Sequence, residues 1–407
     1  GARQVSPPDG LAKPGGQPPG PPGVFEKQRS TKEAPVLHPA TESEVSEILA
    51  GATGPLRVIG GGTRAIGRPV VGEVISIAGL RGLELYEPGS LTIVVRAGTP
   101  VAEVEAMLAA QGQRLPFEPM DHRVLLGTQG EPTIGGVVAA NVSGPRRIQA
   151  GAARDSLIGL RFVDGSGSVI KNGGRVMKNV TGYDLVKLMA GSWGTLGVLT
   201  EVAFKVLPAP GAAASLHLSG LSDARALAAM SAALGSPFEV NGAAHLPQSG
   251  QTMLRIEGLA ASVAYRAERL ANLLAPFGAV SVDADGARVA AIWRDLRDVA
   301  AFAGRVGDVW RVSVKPSDAP GLAARIGGEV IYDWGGGLIW ALVPEGTDLR
   351  AGLGNFAGHA TLIRADASTR ARIAPFHPEP APLAAIAARL RAKFDPRGIL
   401  NPGLMTA

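Results

Sequence analysis

The sequence predicts an α+β protein of two folded units behind a tail, and three observations carry that prediction. With 407 residues the chain is long for one average domain and comfortable for two. Short β-branched runs alternate with amphipathic helical stretches along most of it. A proline pair, Pro208 and Pro210, breaks the alternation midway and marks a boundary.

Residues 1–35 are rich in Pro, Gly and charge and hold too few large apolar groups to offset the entropy of ordering, so they read as a flexible tail or an added segment. Thr41-Glu42-Ser43-Glu44 precedes Val45, Ile48 and Leu49 at helical spacing, which places a helix behind a capping residue. Residues 56–59 form a strand halted by Gly60-Gly61-Gly62-Thr63-Arg64. Residues 74–77, 83–86 and 91–95 read as further strands, and 101–108 as an amphipathic helix. Residues 157–163 and 168–170 flank Gly165-Ser166-Gly167 as a hairpin would, 183–189 is helical, and 197–207 is β-rich. Beyond the prolines, strands at 216–218, 253–256 and 280–282 and helices at 224–234 and 261–274 describe an α+β unit with antiparallel strands. Strand–helix alternation continues over 310–342, and a last helix over 383–394 stops at Pro396. The expected units are therefore 36–207, 208–380 and a C-terminal helix and tail, 381–407.

Composition removes several classes of function. There is no cysteine, so the chain holds no disulfide, no thiolate-bound zinc and no iron–sulfur cluster of its own; a metal relay must sit on a partner. The net charge is +5, but Lys and Arg are scattered and only 5% of residues are aromatic, which argues against a nucleic-acid platform. No apolar run reaches the roughly 18 residues that cross a bilayer, and no secretory signal opens the chain. The expectation is a cytoplasmic protein that meets the inner membrane only through partners. The 55 glycines exceed the usual share of about 7% and point to tight turns and close backbone approaches to a ligand.

Three clusters carry chemistry. Gly60 to Gly67 lines up backbone N–H groups unobstructed by Cβ atoms, as an anion such as pyrophosphate requires. It matches neither G-x-G-x-x-G nor G-x-x-x-x-G-K-[ST], and a triple glycine after a strand is by itself more often a tight turn. The second cluster runs from Pro116-Phe117-Glu118-Pro119 through Thr133-Ile134-Gly135-Gly136 to Asn141-Val142-Ser143-Gly144; its small residues let a flat ring lie on the backbone, while Thr133, Asn141 and Ser143 offer polar atoms to the ring edge or serve as ordinary caps. The third runs from Val176-Met177-Lys178-Asn179-Val180-Thr181-Gly182-Tyr183 to Gly194-Thr195-Leu196-Gly197-Val198; Lys178 either stabilises negative charge on a reduced flavin or is simply solvated. His359 and His377 titrate near the working pH and qualify as bases, or are satisfied by the backbone. No metal site is expected.

The ordered combination of these clusters over about 140 residues resembles the FAD-binding domain named for p-cresol methylhydroxylase and vanillyl-alcohol oxidase. Within that family, the stretches at 176–185, 358–365 (G-H-A-T-L-I-R-A) and 394–403 (F-D-P-R-G-I-L-N-P-G) look like the FAD-binding E subunits of bacterial glycolate oxidase. The resemblance implies a two-subdomain FAD domain followed by a smaller α/β cap with an antiparallel sheet, and a C-terminal helix that returns to the flavin. It implies Gly60, Gly61, Gly62, Thr63, Arg64 and Gly67 at the pyrophosphate, and Pro119, Thr133, Gly136, Asn141, Ser143, Gly144 and Val198 along the rest of the cofactor. It implies oxidation of glycolate to glyoxylate by hydride transfer to FAD, with a paralogous D-type flavoprotein and an iron–sulfur F-type subunit as partners.

Departures from the family pattern matter too. Some relatives attach the flavin through a histidine near the glycine loop, whereas this chain has Arg64 and Arg68, so non-covalent FAD is expected. The H-x-G-D-G-N-x-H stretch of D-lactate-oxidising relatives is missing, and Trp193 replaces the glutamate of their G-S-E-G-T segment. Three readings stay open: a redox-active subunit, a flavin-holding relay or scaffold for a catalytic paralogue, and a stand-alone 2-hydroxy-acid dehydrogenase.

Overall fold

The computed structural model describes residues 35–174 and 182–406. Most of the expected tail, with Lys178 and the rest of 175–181, lies outside the described residues. Among the described residues the strands are β1 Leu56–Ile59, β2 Glu73–Ser76, β3 Leu83–Glu87, β4 Thr92–Arg96, β5 Gln113–Arg114, β6 Leu157–Val163, β7 Val169–Gly173, β8 Val198–Lys205, β9 Leu207–Pro208, β10 Ala212–Ser219, β11 Gly242–Leu246, β12 Gln251–Gly258, β13 Val280–Asp283, β14 Asp308–Val314, β15 Glu329–Asp333, β16 Leu338–Val343 and β17 Gly358–Arg364.

Two sheets organise the protein. Strands β3, β4, β8, β6 and β7 form a five-stranded sheet in that order, and every pairing in it is antiparallel. Its central strand β8 is buried along most of its length, with only Glu201 and Lys205 of V-L-T-E-V-A-F-K partly exposed. The eight strands after Pro208 form a second antiparallel sheet, ordered β13-β10-β12-β11-β15-β16-β14-β17, so the proline pair falls where the chain changes sheets. On one face of it lies the helix Ala260–Leu274, which buries Val263, Ala267, Leu270 and Leu274 at spacings of three, four and seven and keeps its polar side outward. Arg266 joins that buried stripe because its guanidinium donates to the Phe238 and Glu257 carbonyls.

A small parallel pair, β1 and β2, positions the glycine loop. It is widened on both sides by distant chain: Leu37 bridges Ile75, and Leu400 bridges Leu56. The first helix, Glu42–Gly51, begins where Thr41 accepts a hydrogen bond from the Glu44 N–H, the capping geometry its sequence predicts. The segment 134–141 lacks large side chains and shows no strong periodicity, yet Ile134–Ala140 is a helix. Thr133 caps it, and Gly135 sits so close to Ala97 that an added Cβ would lie 2.7 Å from the Ala97 carbonyl oxygen. Tertiary packing therefore set that element, not propensity. No helix among the described residues is long and apolar enough to cross a membrane.

Candidate active site

The glycine loop leaves β1 and runs directly against the turn that precedes Thr133. A Cβ on Gly61 would stand 1.7 Å from the Glu131 carbonyl oxygen, and one on Gly60 2.3 Å from Thr133 Oγ1. Gly130 returns the constraint, since its Cβ would sit 2.2 Å from the Gly61 oxygen, at a φ of +97°. Backbone meets backbone along this seam, and only glycine allows it.

Beside the seam opens a cavity of about 260 Å³. Gly60, Gly61, Gly62, Thr63 and Arg64 form one wall; Thr133 and Gly136 of the capped helix and Val198 at the start of β8 form another. The last wall comes from the C-terminal segment through Asn401 and Leu404. Asn401 holds it in place: its Oδ1 accepts from the Val58 N–H at 2.7 Å and its Nδ2 donates to the Trp193 carbonyl at 2.9 Å. Gly67 packs on Leu404 just outside the cavity.

Arg64 is one of four arginines on the cavity wall, with Arg57, Arg68 and Arg370. Its Nε donates to His122 Nδ1 at 3.2 Å, while its buried Nη2 has no hydrogen-bond partner among the described residues. Burial lowers its pKa to about 10, opposed in part by Asp121. Burial, and then Arg64, hold the His122 imidazole well below its ordinary value, so His122 is neutral and accepts from the arginine. An unpaired guanidinium nitrogen is an expensive thing to bury. A wall of bare backbone N–H groups, a waiting cation and small residues that admit a flat ring fit a dinucleotide such as FAD.

Pro119, Asn141, Ser143 and Gly144 do not line this cavity. Asn141 Oδ1 accepts from the Arg154 N–H and Ser143 Oγ from the Ala153 N–H, so both side chains serve the backbone. Gly144 lies under the second sheet, where its carbonyl accepts from Trp334 Nε1 at 3.0 Å. His377 Nδ1 accepts from the Ala360 N–H, and His359 stands exposed on β17. Trp193, at a cavity wall, packs edge-on against Phe376, whose neighbour is His377. This places the two histidines near the cavity but not on its wall.

The sheet that carries them is tied to the first half of the chain by a buried ion network. Arg255 of β12 forks onto Glu118 with both contacts at 2.8 Å. Arg146 and Arg114 grip Glu257 of the same strand at 3.0 and 2.9 Å. Burial alone would raise the Glu257 pKa, but Arg255, Arg146 and Arg114 outweigh it and bring it to about 2. Sequence reasoning quoted Glu118 and missed its partners: Arg146 lies 28 residues on and Arg255 137, and neither carries a local signature.

Comparison with known proteins follows the same lines. Residues 34–173 match the family described as the FAD binding domain. Glycolate oxidase subunit GlcE of Escherichia coli (strain K12) is 36% identical over 368 residues, covering 89% of this chain and 96% of the relative. D-lactate dehydrogenase of Anaerostipes hadrus is 32% identical over 196 residues, 48% of this chain and 38% of that protein. The solved structure of alkyldihydroxyacetonephosphate synthase superposes with a TM-score of 0.66 over 90% of this chain and 76% of the other at 17% identity, a likeness of fold. The chain belongs to the FAD-linked oxidoreductase family that includes the glycolate oxidase subunit GlcE.

Proposed function

We propose that the chain holds FAD non-covalently and acts, as one subunit of a complex, in the oxidation of glycolate or a similarly small 2-hydroxy acid. The observation that carries this reading is the glycine seam and the Arg64 side chain on the wall of one cavity. When bound, FAD supplies the acceptor for a hydride from the α-carbon. Gly60, Gly61 and Gly62 then present N–H groups to the pyrophosphate, and Arg64 adds the positive charge that Nη2 leaves unspent. Thr133, Gly136 and Val198 bear on the cofactor where they meet the cavity, and Gly67 and Leu404 keep the loop closed. Pro119, Asn141, Ser143 and Gly144 shape the ground between the cavity and the second sheet, and His359 or His377 takes the substrate proton. Lys178, outside the described residues, remains the candidate for holding negative charge on a reduced flavin.

Arg64 and Arg68, where some relatives carry a linking histidine, support a non-covalent cofactor. The absence of cysteine supports an iron–sulfur partner, and similarity to proteins named as glycolate oxidase subunits GlcE and GlcD supports a D-type flavoprotein as a further member. Residues 36–207 serve as the cofactor domain, 208–380 as its cover, and 381–407 as the segment that closes back on it. The missing H-x-G-D-G-N-x-H stretch favours a second reading, in which the chain relays electrons for a catalytic paralogue.

The test is an absorbance spectrum of the purified chain before and after acid precipitation, then anaerobic addition of glycolate. Flavin bands that move to the supernatant and bleach with glycolate meet the proposal. Bands that stay oxidised shift the chain to the relay reading, and folded protein that binds no flavin refutes both.

A further inference from the structure

Two arginines that cross grip the far end of the glycine loop. Arg370, in the short helix Ala367–Arg372 behind β17, donates from Nη1 to the Ala65 carbonyl at 2.9 Å and to the Gly67 carbonyl at 3.2 Å. Arg68, in the loop itself, reaches the other way: its guanidinium donates to the Ala371 carbonyl and, from Nε at 3.1 Å, to the Thr406 carbonyl. The peptide between Gly67 and Arg68 is held at both ends, since its carbonyl accepts from Arg370 and its N–H donates to the Leu404 carbonyl at 3.0 Å. The helix has little else to hold it. Of Ala367–Arg372 only Thr369 is buried, so local opening of this helix costs far less than unfolding the sheet behind it.

The grip is charged, and no acid on the cavity wall neutralises it. Arg57, Arg64, Arg68 and Arg370 all line the cavity, and among the described residues no Asp or Glu does. Arg370 bonds only to carbonyls, and its buried Nε has no partner among the described residues. Burial first, and then the charge of Arg57, lower the Arg370 pKa, with Asp366 opposing them. Arg57 and Arg370 therefore repel each other until an anion shares the cavity with them. Swung out to solvent, Arg370 escapes that repulsion but releases Ala65 and Gly67.

We propose that Arg68 and Arg370 form an anion-gated latch: phosphate groups bound at the glycine loop draw Arg370 onto the cavity wall, fasten the helix Ala367–Arg372 to the loop, and are themselves released only when that helix lets go. The proposal rests on the reading of the cavity as a dinucleotide site and adds how the site is held shut. A ligand shifts such an equilibrium only by binding one state better than the other. That condition is met, because the anion meets the charge of Arg370 in the latched state and loses it in the open one. Arg68 and Arg370 are positioning residues in this scheme, which act on the loop through its carbonyls and its neighbours.

Hydrogen exchange of the flavin-stripped full chain, read by mass spectrometry on peptides spanning 366–373, tests this with inorganic pyrophosphate and FAD as probes and riboflavin as the phosphate-free control. Pyrophosphate and FAD are expected to slow exchange there at least fivefold, and riboflavin to leave it unchanged. Arg370→Gln keeps a donor for the carbonyls but loses the charge, so protection falls below twofold at saturating probe, and Arg370→Lys restores part of it. Arg57→Gln relieves the repulsion, so its ligand-free chain already exchanges more slowly than wild type, which a purely structural role for Arg57 would not produce. Arg57 is exposed, so this variant decides the matter even where Arg370→Gln does not fold. A helix that neither probe protects, or an Arg57→Gln chain that exchanges at the wild-type rate or faster, overturns the latch. Flavin absorbance of the same samples reads the cofactor separately: a chain that takes no flavin but is protected by pyrophosphate keeps the latch and sinks the flavin reading, and a flavin-loaded chain whose helix neither probe protects does the reverse.

Discussion

The ion network between Glu118 and β12 offers the most quantitative prediction. Arg255 is 3% exposed and its partner Glu118 16%, so replacing Arg255 by methionine strands a carboxylate in a largely dry place. Breaking a buried pair from one side destabilises by about 3–5 kcal/mol. Arg146 remains 3.1 Å from Glu118, which puts the expectation at the lower end. With about 2.1 cal/mol/K per residue over roughly 370 residues, the entropy of unfolding is near 0.8 kcal/mol/K, so Tm falls by about 4 °C. Arg255→Met with Glu118→Leu removes the stranded charge and recovers at least half of that loss, a coupling that a double-mutant cycle reads directly in thermal melts. A single variant melting within 1 °C of wild type, or a double variant equal to the sum of the singles, would refute the claim that this pair is buried and coupled.

Three further outcomes follow from the geometry. Gly61→Ala forces a Cβ into the Glu131 carbonyl, a backbone atom that cannot step aside; it lowers stability by about 1–3 kcal/mol and reduces bound flavin per chain, both measurable in one preparation by melting and absorbance. Arg64→Met weakens FAD binding about tenfold in fluorescence titration and, by removing the neighbouring charge, lets His122 titrate at a higher pH by NMR. Two carboxyls give the pH profile opposite slopes. Glu257, ordinarily near 4.5 and held at about 2, contributes roughly 3 kcal/mol that is present above pH 4.5 and lost as pH falls toward 2; Asp333, ordinarily near 3.8 and raised to about 7, makes stability decline as pH rises between those values. Urea melts should find that Glu257→Gln flattens the acid limb and Asp333→Asn the limb between about pH 4 and 7.

Much of the fold was legible because its signals are local. Thr41 ahead of a helical pattern and the β-branched run before Gly60 each act within a few residues, and the structure has a capped helix and a strand there. The helix Ile134–Ala140 was not legible, since Gly-Gly-Val-Val-Ala-Ala has little helical preference and owes its form to Thr133 and to contact with Ala97. Nor was strand β11, whose G-A-A-H-L sequence is too short and small to alternate visibly and is defined by pairing with β12. The glycine wall was readable as a close backbone approach, since G-G-G-T after a β-branched run leaves no Cβ in the way. Its surroundings were not: His122, which accepts from Arg64, and Leu404, which completes the far wall, lie 58 and 340 positions from Arg64, and only the fold brings them together.

Asn401 joins Val58 across 343 positions of chain. During synthesis the glycine loop and its opposing helix leave the ribosome long before residues 401 and 404 exist, so for most of that time the cavity lacks a wall. A cofactor that arrives early meets a trough without its Asn401 and Leu404 wall, and one that arrives after the C-terminal segment has docked meets the complete cavity. Loading is therefore a race between diffusion of the cofactor and one late, long-range closure. A bulky group fused just after residue 404 would handicap that closure without altering any residue that touches the cofactor.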